Sequence, residues 1–336
     1  MVASLVPKAI MPPLVFEPHY WNRLWGGRSL ETQFARRIPD GLVGESWEIS
    51  THALHVSRVA EGPFVGRSLA ELWATHRAEL AGTSNAVFNE KFPLLIKLLD
   101  CQQPLSVQVH PNADQAARLC PHEGGKSEAW VVLDVGPNAS LLAGFKPGVT
   151  RDDVLTALQA GSVNECLHQL HPCNGDCILI PPGVPHALLG PLVLLEVQPT
   201  SDATFRLFDW NRVDLSGQPR KLHIAESIAS IDWTCGPIHP SIPQPFTVSG
   251  STTTIAATRL LRSPEFTIDR HVGTGRFGVA YPSMSAWLLA SGRARLHDTN
   301  GFSREFVPGE TVLVPAQHSD CHWQLHESGE LIALLP

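Results

Sequence analysis

Apolar residues in this chain come in short runs cut by glycine and proline, and only a few stretches carry the wider spacing of a helix face. Ala129–Asp134, Cys177–Ile180, Leu192–Gln198 and Thr311–Val314 are runs of this kind, and each is read as a β-strand. The chain holds 28 prolines and 26 glycines, enough to punctuate strands along its whole length. The pattern predicts a mainly β protein, an antiparallel sandwich or barrel, with a few short helices. Ser68 and Glu71 form a capping-box signature, after which Leu69, Leu72, Trp73 and Leu80 share a helical face and Gly82 would end it. Asn112 would cap a helix through Leu119, and Thr150, with Asp152 and Asp153, would open another through Leu158. A faint repeat sets Gly175 to His186 against Gly309 to Asp320: each has glycine, an acid, an apolar strand, and proline at the sixth place after the glycine. With a Pro/Ser/Thr/Gly-rich connector over 233–251, this predicts two β-barrel units, 1–235 and 236–336.

Composition narrows the function. At 336 residues the chain can bury a sizeable core. Its net charge of −7 argues against a nucleic-acid partner, although a local basic cluster could still take a small anion. The seven cysteines are scattered and odd in number, which speaks against a disulfide scaffold and for a reducing cytoplasm; the Cys173/Cys177 pair reads as ordinary small residues rather than a metal site. Prolines 7, 12 and 13 interrupt any signal-like apolar stretch, and no run is long enough for a membrane span. The expectation is a cytoplasmic protein, monomeric or weakly dimeric, without membrane contact.

The candidate chemistry lies in four stretches. In Gly175-x5-Pro181-x-Gly183-x2-His186, a strand and a tight turn would aim an imidazole into a barrel. Upstream, Ser106, Gln108 and His110 alternate, so on a strand they share one face, and a buried polar row needs partners. Lys126, Glu128 and Trp130 alternate in the same way. Gln108, His110, Glu128 and His186 together offer two imidazoles and two oxygen donors, a set that suits one Zn²⁺ with open positions. In the fourth stretch Glu196 and Gln198 alternate, and Arg206 follows; its guanidinium suits phosphate or an oxyanion, or else a pairing with Asp202 or Asp209.

The turn ending at His186 resembles the second conserved motif of cupins. The set is more specific: Leu24-Trp-Gly-Gly27, Gly44 to Ser50, Phe92 to Asp100, Leu105 to Pro111, Gly125 to Trp130, the His186 turn and Glu196 to Arg212 resemble type I phosphomannose isomerases, in that family's order. The resemblance implies two cupin-like barrels, zinc ligands at Gln108, His110, Glu128 and His186, substrate contacts at Ser106 and Lys126, and an active-site arginine at Arg206. The short interval between Glu128 and His186 matches the compact bacterial-type form. In the repeat copy Asp320 stands where His186 does, so the second unit is expected to be metal-free. The implied substrate is a sugar phosphate, and the implied reaction is mannose 6-phosphate to fructose 6-phosphate through a cis-enediol.

Lys126, Arg206 and Glu196 are the expected catalytic residues, with Ser106, Lys126 and Arg206 contacting substrate. The base stays open among Lys126, Glu196, Glu48, His52 and a metal-bound water. Glu45 and Glu48, flanking Trp47, are read as facing the same way or as ordinary salt-bridge partners. Lys97 looks inward but has no assigned role. The rival readings are an iron-dependent cupin oxygenase, which Gln108 fits poorly, and a sugar-phosphate-binding regulator without turnover.

Overall fold

The computed structural model describes residues 11–82, 91–213, 217–248, 254–279, 281–318 and 320–336. Residues 1–10, on which the signal-peptide reading rests, and the end of the 233–251 connector lie outside them. In chain order the first part contains β1 (His19–Gly27), α1 (Ser29–Phe34), β2 (Val43–Ile49), β3 (Thr51–His52), β4 (His55–Val56), α2 (Leu69–Thr75), α3 (Arg77–Ala81) and β5 (Leu94–Cys101). Next come β6 (Val107–Val109), α4 (Ala113–Leu119), β7 (Glu128–Val135), β8 (Ser140–Phe145), α5 (Arg151–Ala160) and β9 (Leu167–Leu170). Then follow β10 (Cys177–Ile180), β11 (His186–Leu189), β12 (Leu192–Pro199), β13 (Phe205–Phe208) and α6 (Ile224–Ser230). The last part is all β: β14 (Gln244–Phe246), β15 (Ala256–Arg262), β16 (Thr267–Gly278), β17 (Ser285–Ser291), β18 (Ala294–His297), β19 (Ser303–Phe306), β20 (Thr311–Val314) and β21 (His322–Leu335).

The protein is mainly β, as the pattern predicts. A six-stranded sheet runs β1-β2-β5-β12-β7-β10, a five-stranded sheet runs β13-β6-β11-β8-β9, and an eight-stranded sheet carries β14 to β21. The six-stranded sheet is the middle layer, and side-chain parity divides its contacts. Leu94, Ile96, Leu98, Ala129, Val131, Val193, Leu195 and Val197 face one way, into a core shared with Ile268, Leu288, Leu313, Ile332 and Leu334 of the eight-stranded sheet. Leu99, Cys101, Trp130, Val132, Leu192 and Leu194 face the other way, onto Leu141, Ala143 and Leu188 of the five-stranded sheet. Coverage on both faces explains why every residue of β5 is buried although its neighbours are antiparallel. The outer face of the five-stranded sheet packs Val107, Val109, Leu142 and Leu207 against Val154 of α5 and Ile231 after α6.

The helices follow their caps. Ser68, Asn112 and Thr150 each accept from the backbone N–H three residues on, and Glu71, Gln115 and Asp153 reach back to complete the boxes. The helix expected to run from Leu69 to Gly82 is two helices. His76 leaves helical geometry at φ −132°, caps α2 and opens α3, while Thr75 turns its hydroxyl back onto the Glu71 carbonyl. Leu80 is buried on the second of them.

Candidate active site

Two cross-strand rows face each other between the six- and five-stranded sheets. On the five-stranded sheet, Gln108 of β6 lies opposite His186 of β11 on one side and Arg206 of β13 on the other. On the six-stranded sheet, Glu196 of β12 lies between Trp130 of β7 and Lys97 of β5, and Lys97 lies beside Trp47 of β2. Each row continues an inward-facing apolar parity: Leu192 and Leu194 precede Glu196 on the same face, and Leu99 and Cys101 follow Lys97. The polar groups therefore occupy one end of an otherwise apolar interior.

The His186 turn is built as its sequence suggests. Gly183 has φ +84°, a conformation that L side chains rarely adopt, and a Cβ there would meet Asp232 N at 2.9 Å and Ser230 O at 3.1 Å. Its N–H donates to the His110 carbonyl at 2.8 Å, so the turn is tied to the strand that carries the other imidazole.

At the deep end His110 Nε2 and His186 Nε2 lie 3.1 Å from the two Glu128 oxygens, and all three side chains are buried. His110 Nδ1 donates to Ala203 O at 2.8 Å, and His186 Nδ1 donates to Val184 O at 2.9 Å. With Nδ1 committed in this way, Nε2 is the nitrogen that each ring turns toward the carboxylate. Both Nε2 atoms and Glu128 Oε1 are buried without a hydrogen-bond partner, while Glu128 Oε2 has the Lys126 ammonium beside it. Burial, helped by the Lys126 charge, pushes the His110 imidazolium down to about 3, so the ring is neutral at ordinary pH. Burial alone would raise the Glu128 carboxyl, but Lys126, whose Nζ is 3.0 Å away, holds it well below the usual range. Lone pairs turned on one another in a dry interior repel unless a cation sits among them. The donor set thus fits a divalent metal, and Nδ1 bonds to backbone carbonyls are the usual way such imidazoles are oriented.

Above this cluster a cavity of about 270 Å³ opens to solvent. Ser106, Gln108, Lys126, Glu196 and Arg206 all line it, so the predicted residues come together. Arg23, Lys97 and Arg220 join them, giving five cationic side chains against Glu45, Glu196 and Asp202, in a chain whose net charge is −7. Arg206 does not pair with Asp209, which is held instead by Arg212 and Arg220. Its Nη1 donates to Lys221 O at 2.9 Å, its Nε is buried without a partner, and no carboxylate pairs with it among the described residues. Glu196 accepts from Trp130 Nε1 at 3.0 Å and pairs with Lys97 at 3.0 Å. Lys97 also donates to Gln198 Oε1 at 3.0 Å; burial disfavours its charge, but Glu196, Asp202 and Glu45 outweigh that and raise its pKa.

Two of the candidate bases are placed elsewhere. Glu48 is bound by Arg36 at 2.7 and 2.8 Å and by Ser46 and Thr311, and His52 by Glu123 at 3.0 Å; neither lines the cavity. Glu45 and Glu48 do not share a face: three residues apart on a strand they fall on opposite sides, Glu45 toward Arg23 and the cavity, Glu48 toward Arg36. Arg23, Asp202 and Arg220 were not singled out as site residues, because nothing local marks an exposed-looking charge that the fold later turns inward. Lys97 carried a signal, a lysine inside an apolar strand, that parity alone could not convert into a role.

Two packed sheets with a buried His–Glu–His cluster between them, beneath a cationic cavity, define a protein of cupin type. Residues 14–128 match the catalytic domain of type I phosphomannose isomerase. The chain is 33% identical to the probable mannose-6-phosphate isomerase GmuF of Bacillus subtilis over 311 residues, 92% of this chain and 95% of that one. It is also 33% identical to a mannose-6-phosphate isomerase of Streptococcus mutans, over 96% of this chain and 97% of that one. The crystal structure of the mannose 6-phosphate isomerase from Bacillus subtilis superposes with a TM-score of 0.87 at 28% identity, covering 97% of this chain and all of that one. The chain belongs to the type I phosphomannose isomerase family, a family of metal-dependent aldose–ketose isomerases.

Proposed function

We propose that this chain interconverts mannose 6-phosphate and fructose 6-phosphate through a cis-enediol, with one Zn²⁺ held by Gln108, His110, Glu128 and His186. The observation that carries this reading is the cationic cavity directly beside the His110–Glu128–His186 cluster, in a chain of net charge −7. Type I relatives named for the same isomerisation support the substrate. When bound, the ion supplies Lewis-acid polarisation of the sugar oxygens.

The chain's own residues do the remaining work. Ser106, Lys126 and Arg206 grip the phosphate and sugar oxygens, and their positions around one cavity set the open chain in register. Arg206 keeps a guanidinium free of any described carboxylate, so it can meet the negative charge that develops on the enediolate oxygens. Glu196 and Lys126, which both line the cavity, are the residues assigned to move the proton between C1 and C2. Trp130 and Lys97 fix the Glu196 carboxylate on both sides. We infer further that residues 1–235 carry the site and that 236–336 form a second cupin-like unit, a division supported by the repeat.

The test is isomerisation of mannose 6-phosphate by the purified protein, first stripped with chelator and then given Zn²⁺. Activity lost and restored is expected. A folded protein inactive with every divalent metal would sink the reading.

A further inference from the structure

The second unit carries its own cluster of metal-binding side chains. Asp298, His318 and Cys321 each offer a ligand atom, and these atoms all lie within 4.8 Å of one another. They come from two turns. Asp298 follows β18; His318 and Cys321 lie between β20 and β21, in the turn that the repeat sets against the one delivering His186. The sequence reading expected this unit to be metal-free because Asp320 replaces His186, but the turn supplies its imidazole two residues earlier, at His318.

The decisive observation is the state of His318. Its side chain is 1% exposed, and neither ring nitrogen makes a hydrogen bond. Nδ1 stands 3.4 Å from Asp298 Oδ2 and 3.4 Å from Asp320 Oδ1. That is long for a hydrogen bond but close to the ~3.3 Å that separates two ligand atoms around a tetrahedral ion with bonds of about 2.0 Å. The carboxylates are held in this orientation by their other oxygens. Asp298 Oδ1 accepts the N–H groups of Asn300 and Phe302, both at 2.8 Å. Asp320 Oδ2 accepts from the hydroxyl and N–H of Thr299 and from Asn300 Nδ2. Cys321 is fully buried; its carbonyl accepts from the Val279 N–H, and its own N–H donates to His318 O.

We propose that Asp298, His318 and Cys321 bind a second divalent ion of the zinc class that clamps the β18–β19 turn to the β20–β21 turn. One sulfur, one imidazole and one carboxylate are a borderline-soft set that suits Zn²⁺ or Co²⁺ and not Mg²⁺ or Ca²⁺. The three ligand side chains are buried from solvent, which favours a structural role.

Cobalt distinguishes the two centres. The first cluster contains only nitrogen and oxygen donors, so a thiolate-to-cobalt charge-transfer band reports the second alone. The full-length protein, stripped and reloaded with Co²⁺, is expected to bind two equivalents per chain and to show this band. The band should persist in His186→Ala, which empties the first site, and in Cys173→Ser, which removes the exposed thiol. It should vanish in Cys321→Ser, with one equivalent and isomerase turnover retained; His318→Gln gives the same readout should Cys321→Ser fail to fold. A single equivalent bearing the thiolate band would keep this inference and undo the metal reading of the first site. No thiolate band in the reloaded wild-type protein, or a band that survives both Cys321→Ser and His318→Gln, would overturn it.

Discussion

His110 and His186 show how far a single side chain depends on what its second nitrogen touches. With each Nδ1 committed to a backbone carbonyl, only Nε2 is left for the interior, and both Nε2 atoms meet at Glu128. His186→Ala is therefore expected to lose bound metal and turnover together, read by elemental analysis beside the isomerase assay. Arg206→Ala should keep the metal and lower kcat by about 10²–10³-fold, the scale for removing one charge-stabilising donor; unchanged kcat with a raised KM would reduce Arg206 to a binding role. A third histidine has a consequence for stability. Burial holds His271 down to about 4, with Asp269 opposing; the ring stacks on Phe277 at 4.8 Å and leaves Nδ1 unpartnered. The unfolded chain binds the proton near pH 6.5 and the folded one only near 4, so the stability is whole above the upper value and falls as pH drops through that window. The loss approaches about 3 kcal/mol at the acid end, from ~1.4 kcal/mol per unit. Denaturant unfolding at pH 7 and pH 5 should show a smaller drop for His271→Phe than for wild type.

Among the elements, the His186 turn does more than reverse the chain. Gly183 places His186 at the head of β11 and fastens the His110 segment through its own N–H. Gly183→Ala forces an alanine into positive φ and against Asp232 and Ser230, at a cost of roughly 1–3 kcal/mol. The expected outcome is a weaker metal affinity than the stability loss alone would give, measured by competition with a chelator; equal affinity would show that the turn tolerates the change. Short elements with strong local chemistry were legible in advance. β10 and β20 coincide with their sequence runs, and the expected caps Ser68, Asn112 and Thr150 each open a helix, because caps and turn residues act within about one turn of chain. The break at His76 was not legible, since Leu69, Leu72, Trp73 and Leu80 fit one helix as well as two.

Over the whole molecule, the two units expected from the repeat share their largest core. Leu14 and Phe16 from near the N-terminus, the outer face of the middle sheet, and Ile268, Leu288 and Ile332 from the last strands pack together. Leu14 exchanges backbone hydrogen bonds with Leu313, and Arg36 bridges Glu48 to the Gly309 carbonyl. Calorimetry of the intact chain is expected to show one cooperative transition, and two separated transitions would mean that the shared core contributes little. Arg36→Met leaves the buried Glu48 carboxylate without its cation and should lower stability by about 3–5 kcal/mol at neutral pH.

The amino-acid order by itself determined the mainly β character and the principal turns, and it marked Gln108, His110, Glu128, His186, Lys126 and Arg206 as candidates, because alternation along a strand and the chemistry of a turn are local properties. Only the tertiary structure decided which of these groups meet. It drew Arg23, Lys97 and Arg220 into the cavity, sent Glu48 to Arg36 and His52 to Glu123, and set Asp298 beside His318 and Cys321. Those encounters depend on strand order and sheet packing, which join residues from 12 to nearly 200 positions apart, and no periodicity within a segment encodes them.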